Sequence, residues 1–107
     1  MNRTTKNNVV FISHKMRGLS LEEVNSIRAE AMEYVISKFP AGTDIEFIDN
    51  YNHPEAPENC NILWHLGRSI QQLGDADYIY FATPIHESKG CIVESLIASL
   101  YNLNVLR

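Results

Sequence analysis

The chain has 107 residues, 45% hydrophobic and 21% charged, with a net charge of −4. That length fits one domain over residues 1–107 with a core of its own, and not two. The acidic balance argues against binding a nucleic-acid polymer through a broad basic face, and no apolar run approaches the ~20 residues needed to span a bilayer.

The opening stretch MNRTTKNN is polar and lacks the apolar segment of a secretory signal. Cys60 and Cys91 have no CxxC spacing, so two free thiols in a cytoplasmic protein are expected. Residues 9–13, VVFIS, form an unbroken apolar run, the pattern of a strand buried on both faces as in a parallel sheet. A polar, glycine-containing loop follows from His14 to Leu19. Ser20 and Glu23 have capping-box spacing and predict a helix start. Leu21, Val24, Ile27, Ala31 and Val35 then fall on one helical face, and Pro40 and Gly42 end the helix.

Ile45–Ile48 predicts a second, short strand closing at Asp49. Residues 50–59 carry Pro54 and Pro57 and form a loop that is long for a compact domain. A second helix is predicted from about Cys60 to Leu73, with Ile62, Leu66, Ile70 and Leu73 inward and Gly74 as its stop. Asp75 and Asp77 precede the third strand as turn and cap residues. Tyr78–Ala82 is that strand, and a loop over Thr83–Lys89 follows. Gly90 leads into a third helix with Val93, Leu96, Ile97 and Leu100 on its inner face. Asn104–Leu106 is the last short strand.

This β-α-β-α-β-α-β order predicts a three-layer, Rossmann-like or flavodoxin-like parallel sheet of four to five strands with helices on both faces. In such sheets ligands bind beyond the carboxyl ends of the strands, where the strand order reverses. Candidate site residues therefore come from the loops at those ends. Ser13, His14, Arg17 and Gly18 leave the first strand, Asp49 and Tyr51 the second, and His86, Ser88 and Gly90 the third.

Ser88 and the first N–H groups of the third helix can take a phosphate or carboxylate, or Ser88 can simply cap the helix. Glu94 lies one turn after Gly90 and can serve as nucleophile or general base, or only favour the positive helix end. Lys15 and Arg17 can meet a phosphate or remain solvated. The histidines at 14, 53, 65 and 86 lack metal-ligand spacing, so no metal is expected. His65 is expected on the surface of the second helix. No GxGxxG, GxxxxGK[ST] or GxSxG motif occurs, and no cofactor is expected.

Three stretches are similar to the nucleoside 2-deoxyribosyltransferase-like superfamily, and within it to a small, often phage-encoded family. Phe11-Ile-Ser-His-Lys-Met-Arg-Gly-Leu19 resembles its first strand and loop. Gly74-Asp-Ala-Asp-Tyr-Ile-Tyr-Phe-Ala82 resembles its third strand with the preceding Ala-Asp. Ser88-Lys-Gly-Cys-Ile-Val-Glu94 resembles its signature of glycine, three residues and glutamate at the head of a helix. The resemblance implies cleavage of an N-glycosidic bond, or 2-deoxyribosyl transfer, on a nucleoside or nucleoside 5′-monophosphate, with Glu94 as nucleophile at C1′.

Ser88 and Gly90 match the family's sugar or 5′-phosphate contacts, and Arg17-Gly18 the Arg-Gly of its first loop. Ser88 stands where the transferases carry aspartate and looks like the monophosphate hydrolases. Tyr51 is a stand-in for a tyrosine that completes family sites. Those sites are often shared between subunits, which implies a homo-oligomer, dimer or higher. The alternatives are a non-catalytic nucleotide- or sugar-phosphate-binding module and a protein-interaction domain.

Overall fold

The computed structural model describes residues 8–51 and 53–107; the opening segment 1–7, read from sequence as leading into the first strand, lies outside them. The elements in chain order are β1 (Val9–Ser13), α1 (Leu21–Ser37), β2 (Glu46–Phe47), α2 (Ile62–Leu73), β3 (Tyr78–Phe81), a short 3-10 turn (Ile85–Glu87), α3 (Lys89–Leu100) and β4 (Asn104–Val105). The four strands make one sheet in the order β2-β1-β3-β4, and every pairing is parallel. The fold is thus α/β with the Rossmann-like, flavodoxin-like strand order that the alternation predicts. The order reverses between β1 and β3, so the ligand-binding crevice of such a sheet falls at the ends of these two strands.

Strand β1 is the axis of the molecule. All five of its residues are buried, and it pairs with β2 on one edge and β3 on the other. Its side chains alternate between faces, as a strand's must. Val10 and Ile12 pack against Ala31 and Val35 of α1. Phe11 packs on the opposite face against Leu73 of α2, Ile79 of β3 and Ala98 of α3. Helix α1 therefore covers one face and α2 with α3 the other, the arrangement that right-handed crossovers require when the path doubles back. The start of β1 is fixed by Asp77, whose Oδ2 accepts the Val9 N–H at 2.9 Å.

Local signals set the helix starts. Ser20 and Glu23 form the expected capping box: Ser20 Oγ accepts the Glu23 N–H at 3.1 Å and Glu23 Oε1 accepts the Ser20 N–H at 2.9 Å. Asn61 caps α2 by accepting from Leu63 and Trp64, so that helix begins at Ile62, two residues later than the apolar spacing suggests. Ser88 caps α3 by accepting the Cys91 N–H.

Four expected core positions lie at the surface instead. Leu21 is 68% exposed and Ile62 is 74% exposed, each the first residue of its helix. On α3 the buried positions are Cys91, Glu94 and Ala98. Leu96 and Leu100 are exposed, and Ile92 joins them. The helix is apolar nearly all round, so periodicity alone does not say which stripe faces the sheet.

Truncating the core at its axis has a defined cost. Phe11→Ala should lower the unfolding free energy by about 3–5 kcal/mol, whereas Leu21→Ala should change it by less than about 0.5 kcal/mol. Urea titrations of the two variants measure the contrast; equal losses would contradict the burial described here.

Candidate functional site

Because β1 alternates, its last residues carry polar groups to opposite faces of one strand end. Ser13 turns toward α3 and His14 toward α1. Each meets an ionisable side chain buried in the helix on its side.

On the α3 side, Glu94 is only 6% exposed. Ser13 Oγ lies 2.6 Å from Glu94 Oε1 and 3.2 Å from Cys91 Sγ. With Glu94 ionised, the single Ser13 hydroxyl proton is donated to the carboxylate. With Glu94 protonated, its O–H can donate to Ser13 Oγ, and the serine proton turns to sulfur. Burial pushes the Glu94 carboxyl up to about 7, against the opposing pull of the Ser13 hydrogen bond. Among the described residues no lysine or arginine is bonded to it. Oε2 has no hydrogen-bond partner among the described residues, and no side-chain polar atom among them is both buried and unpartnered. The second carboxylate oxygen therefore keeps a path to solvent.

On the α1 side stands a residue that the sequence reading passes over. Arg28 is 4% exposed, and its hydrogen-bond partners are all neutral. Nη1 donates to His14 Nε2 at 3.1 Å and to Asn50 Oδ1 at 3.0 Å, and Nη2 donates to the Ile48 carbonyl at 3.1 Å. Its guanidinium lies 4.5 Å from the centroid of the Tyr51 ring. Asn50 in turn donates to the Ile12 carbonyl at 2.9 Å. His14 Nδ1 lies 3.0 Å from the Lys15 carbonyl, which puts the proton on Nδ1 and leaves Nε2 to accept from Arg28. Burial, and after it the nearby Arg28 charge, holds His14 below the ordinary histidine range, so the ring stays neutral. Arginine inside an otherwise amphipathic helix gives no sequence signal of burial, because periodicity is read from apolar residues alone. A hollow of about 300 Å³ is lined by Arg28, Asn25, Asp49 and Tyr51 among others. A larger one of about 550 Å³ lies beside α1 and β3, lined by Glu30, Tyr34 and Tyr80 among others. Neither includes Glu94.

The strand-end loops are tied to each other. The Ala82 N–H donates to the Ser13 carbonyl and the Lys15 N–H to Thr83 Oγ1, each at 2.8 Å. Gly18 has a φ of +82° and makes the turn after Arg17, which is exposed. The structure thus brings together Ser13 with Glu94, and His14 with Tyr51 through Arg28. Ser88 sits at the head of α3 as its cap. Gly90 lies within the first turn rather than ahead of it, and a Cβ there would meet only Ser88 Oγ at 3.7 Å. His86 and Asp49 are exposed, and the Asp49 carbonyl accepts from Gln72. His65 lies exposed on α2 as expected, and no group of three or more His, Cys, Asp or Glu among the described residues is arranged to hold a metal ion.

No family model, curated protein or solved structure matches the chain. The functional reading therefore rests on these side chains.

The Glu94 environment has a measurable sign. A carboxyl raised from 4.5 to about 7 on folding binds its proton more tightly in the folded chain. Its contribution to stability is whole below pH 4.5 and is lost as the pH rises through 7. Glu94→Gln, which keeps the shape and cannot ionise, should gain on the wild type by roughly 3 kcal/mol between pH 4.5 and 8. Chemical denaturation of both proteins across that range reads the difference directly; a gap that does not widen with pH would mean that the carboxyl is not desolvated.

Proposed function

We propose that the chain cleaves the N-glycosidic bond of a nucleoside or nucleoside 5′-monophosphate, or transfers its 2-deoxyribosyl group, with Glu94 as the nucleophile. The observation that carries this reading is a buried carboxyl at the β1/β3 switch point, held through Oε1 by Ser13, with Oε2 left free to react. Desolvation makes the ionised form a stronger nucleophile than a surface carboxylate. As the bond from Oε2 to C1′ forms, the C1′–N bond breaks and the base leaves with its electron pair, taking a proton from solvent. Water, or a second base, then attacks C1′ and frees the carboxylate. Ser13 keeps Oε1 oriented throughout.

Two further features support the reading. Arg28 is a buried cation whose hydrogen-bond partners are neutral and on which Asp49 acts only through space, next to the strand end that positions Ser13, and an anionic group such as a 5′-phosphate in the adjoining hollow would add to its charge balance. Ile92, Leu96 and Leu100 form an exposed apolar stripe on α3 at four-residue spacing, which supports self-association of the chain.

Chromatography of base release across a panel of nucleosides and 5′-monophosphates tests the chemistry. Glu94→Gln should lower turnover by about 10³-fold or more, and wild-type kcat/KM should rise with pH through about 7 as the carboxyl ionises. Undiminished turnover in the variant would end the proposal. The second reading, a non-catalytic nucleotide- or sugar-phosphate-binding module, is favoured by the Arg28 hollow, which stands apart from Glu94. Calorimetric binding of a 5′-monophosphate that is lost in Arg28→Met, with no base released, would select it. Light scattering should find more than one copy per particle and a single copy for Leu96→Glu; a monomeric wild type would remove the assembly from the reading.

A further inference from the structure

Among the described residues, and apart from the β1 strand end, a further group of reactive side chains is drawn together where residues 53–60 meet α2. His53 Nδ1 lies 3.1 Å from His65 Nδ1, His53 Nε2 lies 3.1 Å from Gln72 Oε1, and Cys60 Sγ lies 3.5 Å from His65 Nε2. The two imidazoles are stacked, 14° from parallel with centroids 5.4 Å apart. Trp64 meets both rings edge-on.

The direction of every proton in this chain follows from one end. Gln72 Nε2 donates to the Asp49 carbonyl at 3.0 Å, which leaves Gln72 Oε1 as an acceptor. His53 must then carry its proton on Nε2 to donate to it. The bare Nδ1 of His53 accepts from His65, so His65 carries its proton on Nδ1. His65 Nε2 is consequently bare, and it is the atom that faces the thiol. The network therefore selects the His65 tautomer that can take a proton from Cys60, with His53 orienting it from behind. Both His65 nitrogens are engaged, by different partners, which suits proton transfer and not a shared metal ion. Cys60 also immediately precedes Asn61, the cap of α2. Asn59, with a φ of 66°, turns the chain into this position.

We propose that Cys60 is a nucleophilic thiol, assisted by His65 as general base, that accepts acyl groups from activated esters or thioesters. As Sγ attacks the carbonyl carbon, the thiol proton passes to His65 Nε2. The S–C bond forms, the bond to the alkoxide or thiolate leaving group breaks, and His65 returns its proton to that group. His53 is a positioning residue. Cys91, by contrast, is buried against Ser13.

The test uses the full chain with p-nitrophenyl acetate. One equivalent of p-nitrophenolate should be released in a burst, and peptide mapping should place one acetyl group on Cys60 and none on Cys91. Cys60→Ala should abolish the burst, and His65→Gln should slow it by roughly 10²-fold. Nitrogen-15 spectra of the histidine rings supply a readout independent of the reaction: His65 should carry its proton on Nδ1 in the wild type and move it to Nε2 in His53→Phe. Acetylation confined to lysines, a Cys60 rate unchanged by His65→Gln, or a wild-type His65 protonated on Nε2 would each overturn the proposal.

Discussion

The structure depends on a strand that has no free side. β1 is hydrogen-bonded along both edges and covered on both faces, so each of its residues is placed by several elements at once. A backbone in that position must satisfy its polar groups within the sheet. It spends its side chains on two separate cores, one with α1 and one with α2 and α3. The polar residues at its carboxyl end inherit this rigidity. Ser13 is ordered by the sheet itself, and His14, the next residue, is held by Arg28 and the Lys15 carbonyl.

That placement explains how two ionisable groups are buried with neutral hydrogen-bonding partners, Asp49 acting on Arg28 only through space. Glu94 and Arg28 carry opposite charges when ionised, yet they sit on opposite faces, and each is satisfied by neutral hydrogen-bonding groups. The carboxyl responds to desolvation by holding its proton more tightly. The guanidinium cannot usefully do so, being protonated throughout the ordinary pH range, and recruits a carbonyl, an amide, an imidazole and an aromatic face instead. A desolvated acid and a desolvated cation bonded to successive residues at the end of β1 are costly for stability alone, which is the general reason to look for chemistry there.

Much of this was legible in the residues. The apolar run at 9–13, the Ser20/Glu23 capping box and the alternation of strand and helix lead directly to the observed sheet, and the strand-end rule leads to Ser13, His14 and Glu94. The helix faces were less legible. The inner stripe of α3 runs through Cys91, Glu94 and Ala98 because Ser13 offers a partner to the carboxyl, and no count of hydrophobic spacing includes that partner. Arg28 was hidden for the same reason: its burial depends on Asn50, His14 and the Ile48 carbonyl, which come together only once β2 lies beside β1. The pairing of His53 with His65 was equally out of reach, since it depends on how a loop with two prolines folds back over α2.

The opposed directions of Ser13 and His14 also bear on how the strand finds its neighbours. Sliding β1 by a single position would carry these side chains to the opposite faces, taking the hydroxyl from the carboxyl and the imidazole from the guanidinium, while Phe11 left one core for the other. Nearby alternative alignments are thereby penalised twice, once by hydrophobic mismatch and again by mismatched donors and acceptors. The residues at the strand end thus act as a keying device for assembly of the sheet, so that selection on the site and selection on correct folding press on the same few positions.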